Sequence, residues 1–218
     1  MESGKINISV DIPMTYHRIN VDDAKPLIIF FHGFADSAEA LLKRAYPNVS
    51  QKYEILAING PFPVPQKKID EWKPAFAWYF FDIKQEKAFI PPTGAVNGVQ
   101  SLLKKLKLEN RKKFLVAFSQ GAFFVPHLLP VLNEVQHIVS IGAAYRADDY
   151  PAILNFSVDA IHGSEDLVIT LERAQQSFNQ LKSKNPKGEF IKFEGLGHTM
   201  NDQSRLWLTN KIDQVFQK

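Results

Sequence analysis

Cysteine is absent from the 218 residues. That absence excludes disulfides, a thiol nucleophile and cysteine-bound metals, and it accords with a reducing compartment. No apolar run reaches the roughly 18 to 20 residues needed to cross a bilayer. The N-terminus around Glu2 and Lys5 lacks the apolar core of a secretory signal. The expectation is a soluble, cytoplasmic protein with no membrane span. Charge of one sign is also scarce, the formal net charge being +3. The basic clusters Lys104-Lys105-Leu106-Lys107 and Arg111-Lys112-Lys113 flank the end of an expected helix and read as a solvated face. With neither interleaved aromatics nor a recognisable module, no nucleic-acid partner is expected.

What is present suits one globular domain with a sizeable core, since 45% of the residues are hydrophobic and 22% charged. Lys5 to Ile12 alternates polar and apolar residues like a half-exposed edge strand, with Thr15 to Asn20 its expected hairpin partner. Later strands are short apolar runs: Leu27 to Phe31, Ile55 to Ile58, Phe114 to Phe118, Ile138 to Ile141, Val158 to Ile161 and Phe190 to Phe193. Such runs suit a sheet covered on both faces. Helical patterns lie between them at about Ser37 to Gln51, Ala95 to Leu108, Gln120 to Glu134, Leu171 to Lys184 and Gln203 to Phe216. The alternation predicts an α/β protein with a mostly parallel, doubly wound sheet. Asp36 and Glu39 have the spacing of a capping box, and Pro126 should bend or end its helix early. Gly60 to Pro92, rich in proline and aromatics, is expected to form a pocket wall or small cap rather than a second domain.

Chemistry enters with Lys113 to Ala122, KFLVAFSQGA, an apolar strand running into a serine flanked by small residues and then a helix. This is the pattern of a nucleophile elbow, in which the hydroxyl projects from a strained turn. Gly121 supplies the small residue downstream and Ala117 the one upstream, where glycine is usual. An acid-bearing passage follows at Val158 to Ile169, and a histidine stands in the glycine-rich loop Glu194 to Met200. The order Ser, acid, His is that of the α/β-hydrolases and not that of the chymotrypsin or subtilisin proteases. Upstream, Pro26 to Phe34 is a buried-type strand entering a His-Gly turn, where an oxyanion-hole loop should lie.

Ser119 is therefore the candidate nucleophile. It needs a base, and His198 is the preferred one of six histidines. His17 and His137 read as surface or strand-end residues, His127 as packing on its helix, His32 as shaping its turn and His162 as lining the site. Asp166 is the preferred acid, Glu165 its nearest rival, with Asp148, Asp149 and Asp202 read as turn or helix-start residues. Oxyanion donors would be the main-chain N–H groups of Phe34 and Gln120, in which the side chains matter little.

Together these residues resemble the phospholipase/carboxylesterase family of α/β-hydrolases, which includes the acyl-protein thioesterases. Phe118-Ser119-Gln120-Gly121, His32-Gly33-Phe34-Ala35-Asp36, Phe81-Asp82-Ile83, Gly163 to Val168 and Gly195 to His198 carry the resemblance. It implies the triad Ser119, Asp166 and His198, oxyanion donation by Phe34 and Gln120, and a cofactor-independent hydrolase of esters or thioesters. Phe34, Trp78, Phe80, Phe81 and Phe123 are expected to contact substrate. The chain departs from the family at Ala117, at Phe123, Phe124 and Pro126, and at Phe80, where tryptophan is usual. The last two departures bear on the acyl pocket. The expected activity is a carboxylesterase for small or medium acyl chains. Acyl-protein thioesterase or lysophospholipase-like activity, or a binding protein that kept the fold without turnover, are the alternatives, and a homodimer is left open.

Overall fold

The computed structural model describes residues 12–67, 70–82, 87–185 and 187–217. Among them seven strands form the central sheet: β1 (Tyr16–Ile19), β2 (Leu27–Phe31), β3 (Glu54–Ile58), β4 (Lys113–Phe118), β5 (Val135–Ile141), β6 (Ser157–Gly163) and β7 (Phe190–Phe193). Their spatial order is β1-β3-β2-β4-β5-β6-β7. Only the β1–β3 pairing is antiparallel.

The apolar strands explain the layering. All five residues of β2 are buried, so both of its faces need cover. Leu27, Ile29 and Phe31, with Leu115 and Ala117 of β4, pack under α2 (Thr93–Lys105), α3 (Gln120–Leu128) and α4 (Leu171–Leu181). Ile28 and Phe30, with Val116 and Phe118, pack under α1 (Ala38–Ala45) and α5 (Asp202–Phe216). Each of these side chains larger than alanine contributes about 1.5–3 kcal/mol relative to leaving it in water. The result is the α/β-hydrolase architecture. Among the described residues no helix is long and apolar enough to cross a membrane.

The chain leaves β2 for β3 on one side and returns as β4 on the other. This reversal opens a crevice at the carboxyl ends of β2 and β4, where open α/β sheets bind ligands. The aromatic segment starts from the same edge, after β3. It folds into three small antiparallel ladders, pairing Phe62–Pro63 with Phe76–Ala77, Gln66–Lys67 with Trp72–Lys73, and Phe80–Asp82 with Lys87–Ile90.

β1 pairs with β3, and the strand expected as its hairpin partner at Lys5 to Ile12 lies, apart from Ile12, outside the described residues. Several local expectations need correction. The cap of α1 is Ser37, whose hydroxyl accepts from the Ala40 N–H at 3.2 Å, and not Asp36. Asp36 is instead drawn to Arg44, 2.5 Å away. α1 stops at Ala45 because Pro47 disfavours helical geometry at Tyr46. α3 stops at Leu128, short of the expected Glu134 and two residues past Pro126, the early end that this proline implied, and continues as a single 3-10 turn.

The Arg111-Lys112-Lys113 cluster is not wholly a solvated face. Lys113 opens β4 with its side chain buried, and its ammonium donates to the carbonyls of Glu109, Arg111 and Asn133 at 2.6, 2.7 and 3.0 Å. Arg111 reaches back to the buried carboxylate of Glu54, 3.0 Å away, which Arg18 also holds. His137 is likewise buried, with Nε2 2.8 Å from Asp159.

Candidate active site

Ser119 sits where β4 turns into α3, with φ +49° and ψ −116°. A residue other than glycine held there stores about 1–3 kcal/mol of strain. The surroundings enforce it: the Ser119 N–H donates to the Ile141 carbonyl at 2.8 Å, and its carbonyl accepts from the Ala122 N–H at 2.9 Å. Gly121 is required because a Cβ there would fall 2.2 Å from the Phe31 carbonyl oxygen. The extra methyl of Ala117 is absorbed in the core.

The loop after β2 comes close enough that a Cβ on Gly33 would lie 3.3 Å from that of Ser119. His32 anchors this loop from inside. Its Nε2 accepts from the Gly60 N–H at 2.9 Å, so the ring proton is on Nδ1 and donates to the Gly33 carbonyl at 2.6 Å. Burial pushes its pKa down from 6.5 to about 4. Between those values the unfolded chain binds a proton that the fold does not, so stability is lost as pH falls through the window, by about 3 kcal/mol in all. Urea unfolding between pH 7 and 4 should show this loss. His32→Gln, which carries no proton in that range, should flatten the dependence by one proton.

The acid loop is built around Asp166. Its Oδ1 accepts from the N–H groups of Val168 and Ile169 at 2.9 and 3.0 Å. Its Oδ2 lies 2.7 Å from Nδ1 of His198. His162, buried at the end of β6, donates from Nε2 to the Ile169 carbonyl at 2.8 Å and stands 3.6 Å from the same Oδ2. Glu165 turns out to solvent. Asp202 is in the first turn of α5 and pairs with Arg205 at 2.6 Å. The two loops interlock so closely that a Cβ on Gly163 would lie 2.0 Å from the Leu196 carbonyl oxygen.

Ser119 and His198 line one cavity of about 260 Å³, walled also by Phe34, Asp36, Arg44 and Thr199. A larger cavity, about 540 Å³, touches Gln136, His137 and Ser157 at the opposite edge of the sheet and has no part in this cluster. Of the five aromatic residues expected to contact substrate, Phe34 lines the serine's cavity and is 52% exposed. Phe80 packs edge-on against it at 5.9 Å, Phe81 lies under Arg146, and Phe123 is partly buried against the core. Trp78 is corrected to a core residue: it is fully buried, stacks on Phe124 at 4.6 Å, and donates from Nε1 to the His32 carbonyl at 2.8 Å.

The sequence profile of the Phospholipase/Carboxylesterase family matches residues 19–214. The chain belongs to that family. Solved structures with similar folds include acyl-protein thioesterase 2 of Zea mays (TM-score 0.65, 18% identity, 91% of this chain and 99% of that one). The Bacillus cereus carboxylesterase gives TM-score 0.66 at 16% identity over 94% of each chain. Esterase PE8 gives 0.71 at 16% identity, over 94% of this chain and 100% of that one. No protein among the curated sequences matches.

Three features of this phospholipase/carboxylesterase family member carry no recognisable signal in a single sequence. Arg44, inside an amphipathic helix, brings its guanidinium over the Phe118 ring at 4.6 Å and into the cavity wall. Gly142, with φ +59°, ends β5 where a Cβ would lie 3.1 Å from the His198 ring. The third is Gln120, whose side-chain amide is hydrogen-bonded to the aromatic segment at Trp78 and Tyr79.

Proposed function

We propose that this chain is a serine carboxylesterase that cleaves esters of small or medium acyl chain through an acyl-enzyme. The observation that carries the reading is the 2.7 Å hydrogen bond from His198 to buried Asp166 on the cavity that also holds Ser119. With Nδ1–H committed to Asp166, the lone pair of His198 is on Nε2, the nitrogen that must act as base. In this reading Oγ of Ser119 attacks the carbonyl carbon while its proton passes to Nε2. The tetrahedral oxyanion is held by the N–H groups of Phe34 and Gln120. Collapse breaks the ester C–O bond, and His198 returns the proton to the departing alcohol. Water, deprotonated by the same Nε2, then releases the acid and restores Ser119.

The cavity of about 260 Å³ favours the short end of the acyl range, because sites for larger ligands run from about 300 Å³ upward. Membership of the Phospholipase/Carboxylesterase family supports ester hydrolysis as the reaction class. The test is hydrolysis of p-nitrophenyl esters from acetate to palmitate, with fluorophosphonate labelling and mass analysis of the modified peptide. The short esters should turn over fastest and the adduct should sit on Ser119. Absence of both turnover and labelling would return the chain to the binding-protein alternative.

A further inference from the structure

We infer that the side-chain amide of Gln120 is a positioning group, which clamps the oxyanion-binding main chain to the aromatic segment between β3 and α2. The inference rests on the reading of Ser119 as nucleophile and of the Gln120 N–H as an oxyanion donor. Gln120 Oε1 accepts from the Trp78 N–H at 3.0 Å, and its Nε2 donates to the Tyr79 carbonyl at 2.9 Å. Both functions of one amide are thus used on two consecutive residues, which fixes the direction of the side chain as well as its reach.

The same segment grips the opposite oxyanion loop. The indole N–H of Trp78 donates to the His32 carbonyl at 2.8 Å. The Gly60 N–H donates to His32 Nε2 at 2.9 Å, and the Phe76 N–H to the Asp36 carbonyl at 2.8 Å. Trp78 therefore joins both sides, through its main chain to the elbow and through its side chain to the loop after β2. Each side contains a residue other than glycine at positive φ, Ser119 at +49° and Ala35 at +51°. Backbone in that region relaxes unless its surroundings hold it. Two amides from different loops stabilise an oxyanion only if their separation is fixed before charge develops. The aromatic segment supplies that fixed separation, with Gln120 as its contact on the nucleophile side. A residue that merely staples the fold would lower stability without singling out the chemical step.

The experiment uses Gln120→Met, which keeps length and loses both hydrogen bonds, and Gln120→Glu, which sets an acceptor against the Tyr79 carbonyl. Trp78→Phe keeps the stack on Phe124 and loses the bond to His32, so it reads the proposal from the far side if a Gln120 variant does not fold. Expected is a fall in kcat of about 10- to 100-fold with KM within about 2-fold. Affinity for a trifluoromethyl ketone, whose adduct carries the oxyanion, should fall by the same factor, in protein that stays folded at the assay temperature although the unpaired Trp78 N–H and Tyr79 carbonyl lower its melting point. A Gln120→Met enzyme with wild-type kcat, or one whose loss appears in KM or in stability alone, overturns the inference and leaves the nucleophile reading intact. A wild-type protein that neither turns over esters nor labels with fluorophosphonate overturns both.

Discussion

Ser119→Ala is expected to lower kcat for short esters by about 10⁶-fold, the size of loss seen when a triad nucleophile is removed. The substitution is a clean one in this fold. The contacts that hold residue 119 at its strained φ are made by its main-chain N–H and carbonyl, which alanine keeps. Alanine also keeps the Cβ that packs near Gly33. The variant should therefore unfold at the wild-type temperature, and the residual rate should still exceed that of water, because the main-chain N–H groups proposed to hold the oxyanion survive. Steady-state kinetics and fluorophosphonate labelling of both proteins check this. A variant that retains substantial activity removes Ser119 from the mechanism.

Asp166→Asn is expected to cost about 10⁴-fold in kcat at nearly constant KM, for a reason that can be followed atom by atom. The asparagine oxygen can still accept from the N–H groups of Val168 and Ile169, so the loop should hold its shape. Its amide nitrogen then occupies the place of the oxygen that faces His198. A donor at that position requires His198 to present an unprotonated Nδ1, which moves the ring proton to Nε2. The nitrogen proposed as base then arrives already protonated. Glu165→Gln, one residue away and exposed, should leave kcat near wild type. Because Asp166 and Ser119 act as a unit in the proposed mechanism, the double variant of Asp166→Asn with Ser119→Ala should be no slower than Ser119→Ala alone. Equal losses in the Asp166 and Glu165 variants would point to a disturbed loop and not to a misplaced proton.

Much of the layering was legible because it depends on local pattern. A run such as Leu27 to Phe31 with no polar residue admits few fates other than a strand buried on both faces, and the alternation of strand and helix does the rest. The gathering of residues near 33, 119, 166 and 198 at one sheet edge likewise follows from motif order in a parallel sheet. Less legible was whatever depends on a partner distant in sequence. Trp78 reads as a pocket wall because its segment starts from the carboxyl edge of the sheet, where ligands bind, and only the stack on Phe124 and the bond to His32 show it sealed. Lys113 looked solvated beside Arg111 and Lys112, yet as the first residue of β4 it turns inward onto three carbonyls. Asp36 had the spacing of a cap, but the attraction of Arg44 across one helix length took it out of that role and left the cap to Ser37. The Gln120 side chain reads as incidental because the role expected of this residue falls to its main-chain N–H; the partners of the amide come from residues 78 and 79.

The reversal of strand order between β2 and β4 has a consequence for how the protein comes into being. The His32 loop and Ser119 become neighbours only when those strands pair across the whole aromatic segment and α2, and the acid and histidine loops join only after β6 and β7 add on the far side. Pairings of such long sequence separation form late and slowly. A chain emerging from the ribosome as far as α3 thus carries Ser119 with neither Asp166 nor His198 beside it. Ester cleavage would switch on only with the closing strands, making turnover a report on the completed sheet rather than on any fragment of it.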